Sequence, residues 1–204
     1  MVKVLHITTE YPPHRTVGSL AIQVRDLVIK LSSNHEIYLV HPAGFEGSYM
    51  DGNIRICTVI DRWFSDVVAY MHFLLVEVLS RIPYVIPRDM ELIHAHDWIA
   101  SVIARVISQR LKVPYIASVY STEPLRSGNA MNLINLTIRD WEKYAFSSAN
   151  YAIAHNRPTY ESLGRDYGIN AMEAKSIDDI EAIYKDISHQ RVHHGQSVVS
   201  SSRT

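Results

Sequence analysis

The chain is 204 residues long and 47% hydrophobic, enough to fill one α/β domain and too little for two of ordinary size. Its 20 lysines and arginines nearly cancel its 21 aspartates and glutamates, so it lacks the basic stripe that a nucleic-acid partner requires. The single cysteine, Cys57, has no intramolecular disulfide partner, and the opening Met-Val-Lys-Val-Leu-His runs straight into a strand pattern rather than a signal peptide, so a reducing, cytoplasmic setting is expected.

Residues 2–8 are apolar and β-branched apart from Lys3 and His6, and they stop at Tyr11-Pro12-Pro13, which predicts a first strand. Gly18-Ser19 then precedes Leu20, Ala21, Val24, Leu27, Val28 and Leu31, spaced near the helical period, with Ser19 as the candidate cap. Further strands are expected over 36–40, 54–60, 90–94, 113–119 and 151–154, and helices over 62–81, 98–111, 132–146, 158–167 and 176–188. The most apolar run, 67–79, is interrupted by His72 and Glu77 and is shorter than the roughly 20 residues of a membrane span, so it reads as a buried or surface-docked helix. Strands alternating with helices imply right-handed crossovers and an α/β fold with a doubly wound parallel sheet. From Arg191 onward the sequence lacks period and bulk, and a disordered tail is expected there. Its His193-His194 pair has at most an adventitious affinity for metals.

Three loops follow strand ends and carry the candidate chemistry. The run His94-Ala95-His96-Asp97-Trp98 places two imidazoles on one strand face, at the carboxyl end where open α/β sheets bind ligands. The alternative is a satisfied core histidine followed by Asp97 as a helix cap. The loop 14–20 offers Gly18 for close backbone approach and free helix amides for an anion, without the G-x-G-x-x-G fingerprint of a dinucleotide site. The loop 120–129 gathers hydroxyls, Glu123, Arg126 and Gly128, a composition suited to polyols and equally to an ordinary polar loop.

Together these stretches resemble a known family. Lys3 to Pro13, Val17-Gly18-Ser19-Leu20-Ala21 with Val24-Arg25-Asp26-Leu27, His94-Ala95-His96-Asp97-Trp98, Ser121-Thr122-Glu123 with Arg126-Ser127-Gly128-Asn129, and Trp141-Glu142 with Ala149-Asn150-Tyr151-Ala152-Ile153-Ala154 are similar to the amino-terminal domain of retaining glycosyltransferases of the glycogen and starch synthase and family 4 type. The likeness covers residues 1–170, with a carboxyl-terminal helix over 171–190 and the tail beyond. It implies the Rossmann-like amino-terminal half of a GT-B fold, a nucleotide-diphosphate sugar as donor, a glucan or other sugar as acceptor, and no protein-bound metal.

By the resemblance, His96 contacts the transferred sugar near its reacting carbon, with His94 and Asp97 fixing its position. Gly18 and Ser19 approach the diphosphate, while Glu10, Arg15, Thr122, Glu123 and Arg126 line the acceptor side. Both His94 and His96 are expected to face an open cleft near Gly18 and Thr122. The chain departs from the family where Gly18-Ser19 replaces a pair of glycines and where Tyr120 stands in place of a frequent histidine. By the same resemblance the family's donor-binding domain is expected to be missing here, which implies little transfer by this chain alone, and either a separate donor domain or a homodimer joined through an apolar cleft-facing surface. Two other readings stay open at this point: a non-catalytic sugar-binding or interaction module, and a metallohydrolase with His94, His96 and His155 as zinc ligands.

Overall fold

The computed structural model describes the backbone of residues 1–200 and the side chains of residues 1–189. In chain order its elements are β1 (Lys3–Ile7), α1 (Ser19–Leu31), β2 (Glu36–Ala43), β3 (Gly47–Asp51), β4 (Ile54–Ile60), α2 (Val67–Val85), β5 (Leu92–His96), α3 (Asp97–Leu111), β6 (Tyr115–Val119), α4 (Glu123–Ser127), α5 (Leu133–Phe146), β7 (Tyr151–Ala154), α6 (Arg157–Tyr167), β8 (Met172–Glu173) and α7 (Ile177–Ser200). The strands form one eight-stranded sheet in the order β3-β4-β2-β1-β5-β6-β7-β8. Every pairing is parallel except that of β3 with β4.

That edge hairpin is the one departure from the expected parallel sheet. Asp51 pairs with Ile54 across Gly52-Asn53, and Gly52 takes a left-handed φ of 59°, a conformation that costs glycine nothing. Gly52-Asn53, with glycine at the first loop position, is itself a hairpin signal. Side chains hold the added strand: Asp51 accepts hydrogen bonds from Tyr11 Oη (2.9 Å) and Arg25 Nε (3.2 Å), tying β3 to the β1–α1 segment.

From β1 the chain moves outward through β2 to β4, then crosses back along α2 and builds β5 to β8 on the other side. The order therefore reverses between β1 and β5, and the crevice beyond their carboxyl ends is the switch point at which such sheets bind ligands. Strand alternation gives each face its own core. Leu5, Ile7, Ile93, Ala95, Ala117 and Val119 face α2, α3, α5 and α6, whereas Val4, Leu39, Leu92, Ile116 and Ile153 face α1 and α7.

Helix α2 is longer at its carboxyl end than the sequence suggests. It spans 19 residues, is long and apolar enough to cross a membrane by length and composition, and is 28% buried. Here Tyr70, Met71, Leu74, Val78 and Ile82 form an inner stripe against the sheet, and the Asp66 carboxylate caps the helix by accepting from Val68 N–H at 2.7 Å. The tail expected from Arg191 falls where the α7 backbone continues to Ser200, and residues 201–204 lie outside the described residues.

Candidate functional site

The register between β1 and β5 sets His6 beside His94, and the two-residue strand period puts His6, His94 and His96 on the face covered by α7. None of the three exposes any surface, so the expectation that His94 and His96 face an open cleft is corrected. The cause is α7, whose apolar residues Ile180, Ile183 and Ile187 close that face and carry Tyr184 into the cluster. Within this apolar face the histidines meet polar partners. His94 Nδ1 meets Tyr184 Oη at 2.6 Å and its Nε2 meets Ser118 Oγ at 2.7 Å. His6 Nδ1 meets His96 Nε2 at 2.9 Å, and His6 Nε2 lies 3.3 Å from Tyr184 Oη. His96 Nδ1 meets Tyr120 Oη at 3.2 Å, while His155 Nε2 meets Ser118 Oγ at 2.8 Å. The rings of Tyr120 and His155 stack at 4.2 Å, closing the chain on itself.

A neutral imidazole has one donor and one acceptor, so this chain can be satisfied without any charge. Tyr120 donates to His96, His96 to His6, His6 to Tyr184, Tyr184 to His94, His94 to Ser118 and Ser118 to His155; reversing every donor satisfies it equally. Burial enforces that neutrality. It pushes His6 down to about 3 and His155 down to about 4, and holds His94 and His96 well below the usual imidazole range. At neutral pH these groups are a satisfied polar core behind the crevice.

Asp97 stands differently. It begins α3 with φ at 68°, the left-handed region that a side chain rarely occupies, and its Oδ1 is buried without a hydrogen-bond partner among the described residues. Burial raises its carboxyl to about 7 from an ordinary 3.8. Arg126 and the Tyr120 N–H pull against that rise, whereas Glu142 and Glu10 add to it.

Arg126 is the cation of this neighbourhood. Its Nη2 donates to Glu123 Oε2 at 3.0 Å and also pairs with Glu142, whose side chain is fully buried. Glu142 in turn accepts from Glu123 N–H at 2.9 Å and from Tyr167 Oη, and Glu123 Oε1 accepts from Asn135 Nδ2 at 2.8 Å. Thr122 is buried too, its hydroxyl 2.6 Å from Ser162 Oγ. Of the three residues this loop supplies to the candidate site, Arg126 keeps a third of its side chain exposed, and Thr122 and Glu123 serve the packing of α4 against α5 and α6.

In the β1–α1 loop, Glu10 Oε2 accepts from Val17 N–H at 3.0 Å and Gly18 N–H at 2.9 Å, so two amides suited to an anion already hold a carboxylate. Gly18 is the cap residue of α1 in extended conformation. Ser19 stands inside the helix with its hydroxyl accepting from Gln23, which corrects its assignment as the cap. Arg15 pairs with Asp61 and lies over the Tyr70 ring at 5.2 Å.

Sequence reasoning passed over His6, read there as an interruption of the strand, and Tyr184, which only the packing of α7 brings to the cluster. For His6 the strand period was a usable signal; for Tyr184 there was none. The three histidines whose ligand atoms gather within 4.8 Å are His6, His94 and His96. The trio proposed for a metallohydrolase is therefore not the one the fold assembles, because His155 is turned to Ser118.

Comparison with known proteins agrees with this architecture. Residues 20–184 match the model of Glycosyltransferase Family 4. An uncharacterised glycosyltransferase of Methanocaldococcus jannaschii is 27% identical over 129 residues, which cover 62% of this chain and 33% of that protein. Among solved structures, sucrose-phosphate synthase from Thermosynechococcus elongatus superposes with a TM-score of 0.63 at 11% identity, over 85% of this chain and 47% of its own. A UDP-forming trehalose-phosphate synthase from Burkholderia vietnamiensis gives 0.55 at 12% identity, over 85% and 48%. Anabaena HepE, solved with UDP and glucose, gives 0.55 at 13% identity, over 92% and 50%. The chain thus spans a third of its curated relative and about half of each of these structures. With its Rossmann-like sheet, it is an amino-terminal GT-B domain and belongs to glycosyltransferase family 4.

Proposed function

We propose that the chain is the acceptor-side half of a retaining glycosyltransferase, binding a sugar acceptor and the sugar of a nucleotide-diphosphate donor where β1, β5 and β6 end. The observation that carries this reading is Asp97, strained at φ 68° with a buried, unused acceptor oxygen at the switch point. Backbone strain and an orphaned polar atom in one residue mark a group held for a ligand rather than for stability. A sugar hydroxyl donating to Asp97 would supply the missing partner, and Arg126 would balance the charge. His96 and His94 fix the strand end that presents Asp97. Gly18, Ser19, Glu10 and Arg15 shape the rim on the α1 side, and Thr122 and Glu123 hold the loop that carries Arg126.

HepE with UDP and glucose, and Arabidopsis UGT89C1 with UDP-L-rhamnose, support a nucleotide sugar as donor. The share of those structures left uncovered supports a second domain that binds the diphosphate. Stabilisation of the leaving group is commonly the largest catalytic contribution, so this half alone should turn over little.

The test pairs binding with transfer. Ligand-observed NMR with glucose and maltose should detect weak binding that Asp97→Asn abolishes. Consumption of labelled UDP-glucose should be negligible with the chain alone and should appear on adding the donor domain of a related synthase. Efficient transfer by the chain alone, or sugar binding indifferent to Asp97→Asn, would overturn the proposal. Sugar binding with no transfer in the mixture would make the chain a non-catalytic sugar-binding module.

A further inference from the structure

The buried histidine cluster offers a chemistry that glycosyl transfer does not use. His6, His94 and His96 come from adjacent parallel strands locked in register, and one ring nitrogen from each lies within 4.8 Å of the others. The edges of a tetrahedral site with metal–nitrogen bonds of about 2.0–2.1 Å are roughly 3.3 Å, so the three nitrogens need close by no more than about 1.5 Å to share one ion.

The partners of these rings make the case stronger. Among the contacts of the three, one joins two imidazoles directly: His6 Nδ1 to His96 Nε2, at 2.9 Å. The other nitrogens face hydroxyls: His6 Nε2 and His94 Nδ1 face Tyr184, His94 Nε2 faces Ser118 and His96 Nδ1 faces Tyr120. With an ion on His6 Nδ1, His96 Nε2 and His94 Nδ1, each ring's second nitrogen can donate its N–H to a hydroxyl oxygen, of Tyr184, Tyr120 and Ser118 in turn. Metal-bound histidines characteristically place their second nitrogen in this way, because the outer hydrogen bond fixes the tautomer and the ring orientation.

We propose that His6, His94 and His96 form a structural site for one borderline divalent ion, zinc by preference, with a solvent-derived fourth ligand. Neutral nitrogen donors without a carboxylate favour zinc, cobalt, nickel or copper over magnesium and calcium. Because the cluster has no exposed surface, the ion enters during folding or on opening of α7, and its effect is to tie β1 to β5.

The experiment refolds the full chain from denaturant with and without zinc or cobalt. Mass spectrometry should find one zinc per chain. The cobalt form should show the visible band of tetrahedral coordination, and zinc-edge X-ray absorption should report three imidazole nitrogens. At a hundredfold excess over Kd the melting temperature should rise by about 5–10 °C. His6→Asn should lose the ion, and removing the sequence's other histidine pair by His193→Ala with His194→Ala should not. If His6→Asn fails to fold, the absorption spectrum of the unaltered chain still decides. Absence of stoichiometric metal, an oxygen-rich shell, or binding lost with the 193–194 pair would overturn the site and leave the cluster a hydrogen-bonded core.

Discussion

At the scale of the residue, Asp97 combines two costs that other described residues carry only singly. A left-handed backbone at a residue with a β-carbon costs on the order of 1 kcal/mol, and an unpaired buried carboxylate oxygen adds to it. Asparagine shares aspartate's tolerance of that backbone and carries no charge to desolvate. Asp97→Asn is therefore expected to raise stability by about 1 kcal/mol, or roughly 2–4 °C in Tm, while weakening sugar binding. Calorimetry together with ligand-observed NMR checks both halves, and a fall in Tm would show that Asp97 makes a native contact worth more than its strain.

At the scale of the element, Lys112 ends α3 with φ at 57°, the position where helices ordinarily place glycine, and its N–H bonds Ser108 C=O. Lys112→Gly should stabilise the chain by about 0.5–1 kcal/mol without touching the crevice, measurable as a shift in the urea midpoint at constant slope. By contrast Gly168, which ends α6 with φ at 68°, already meets this need.

These elements also show why some of the architecture could be read from the chain and some could not. The end of the helix expected over 158–167 matches α6 because the constraint at Gly168 is local, and β1, β4 and β7 followed from local apolar runs. Strands β3 and β8 escaped because Gly47–Asp51 alternates between half-buried and exposed residues and Met172–Glu173 is too short to show a period. The site was legible as a motif and not as a geometry. His94, His96 and Asp97 were picked out together, yet only tertiary packing shows that the histidines turn inward beneath Tyr184 while Asp97 keeps a free acceptor.

At the scale of the whole molecule, the pH response should follow the histidines that folding buries neutral. His41 is the clearest, lying outside the switch-point cluster. It is pushed down to about 4 from an ordinary 6.5, chiefly by burial and also by His14 and Arg15, against its bond to the Pro42 carbonyl. Tyr11 and Tyr49 complete the groups around it. Above pH 6.5 both folded and unfolded chains hold it neutral and stability is intact. Between 6.5 and 4 the unfolded chain takes up a proton that the folded chain refuses, so stability is lost as pH falls. His41→Gln should remove about 2–3 kcal/mol of the loss between pH 7 and pH 4. Urea titrations at the two pH values check this, and an unchanged difference would place the acid sensitivity elsewhere.

The bond between Tyr184 and His6 joins positions 178 residues apart, and His6 meets His96 across 90. A ribosome adding ~5–20 residues each second needs roughly 10–35 s to separate the synthesis of those two ends. For about the first half of that interval the strand destined for β1's other edge does not yet exist, and for nearly all of it the helix destined for its Val4 and His6 face does not exist either. The newborn chain therefore spends its youth with the middle of its sheet open, exposed to pairing with other nascent chains, until α7 shuts the door.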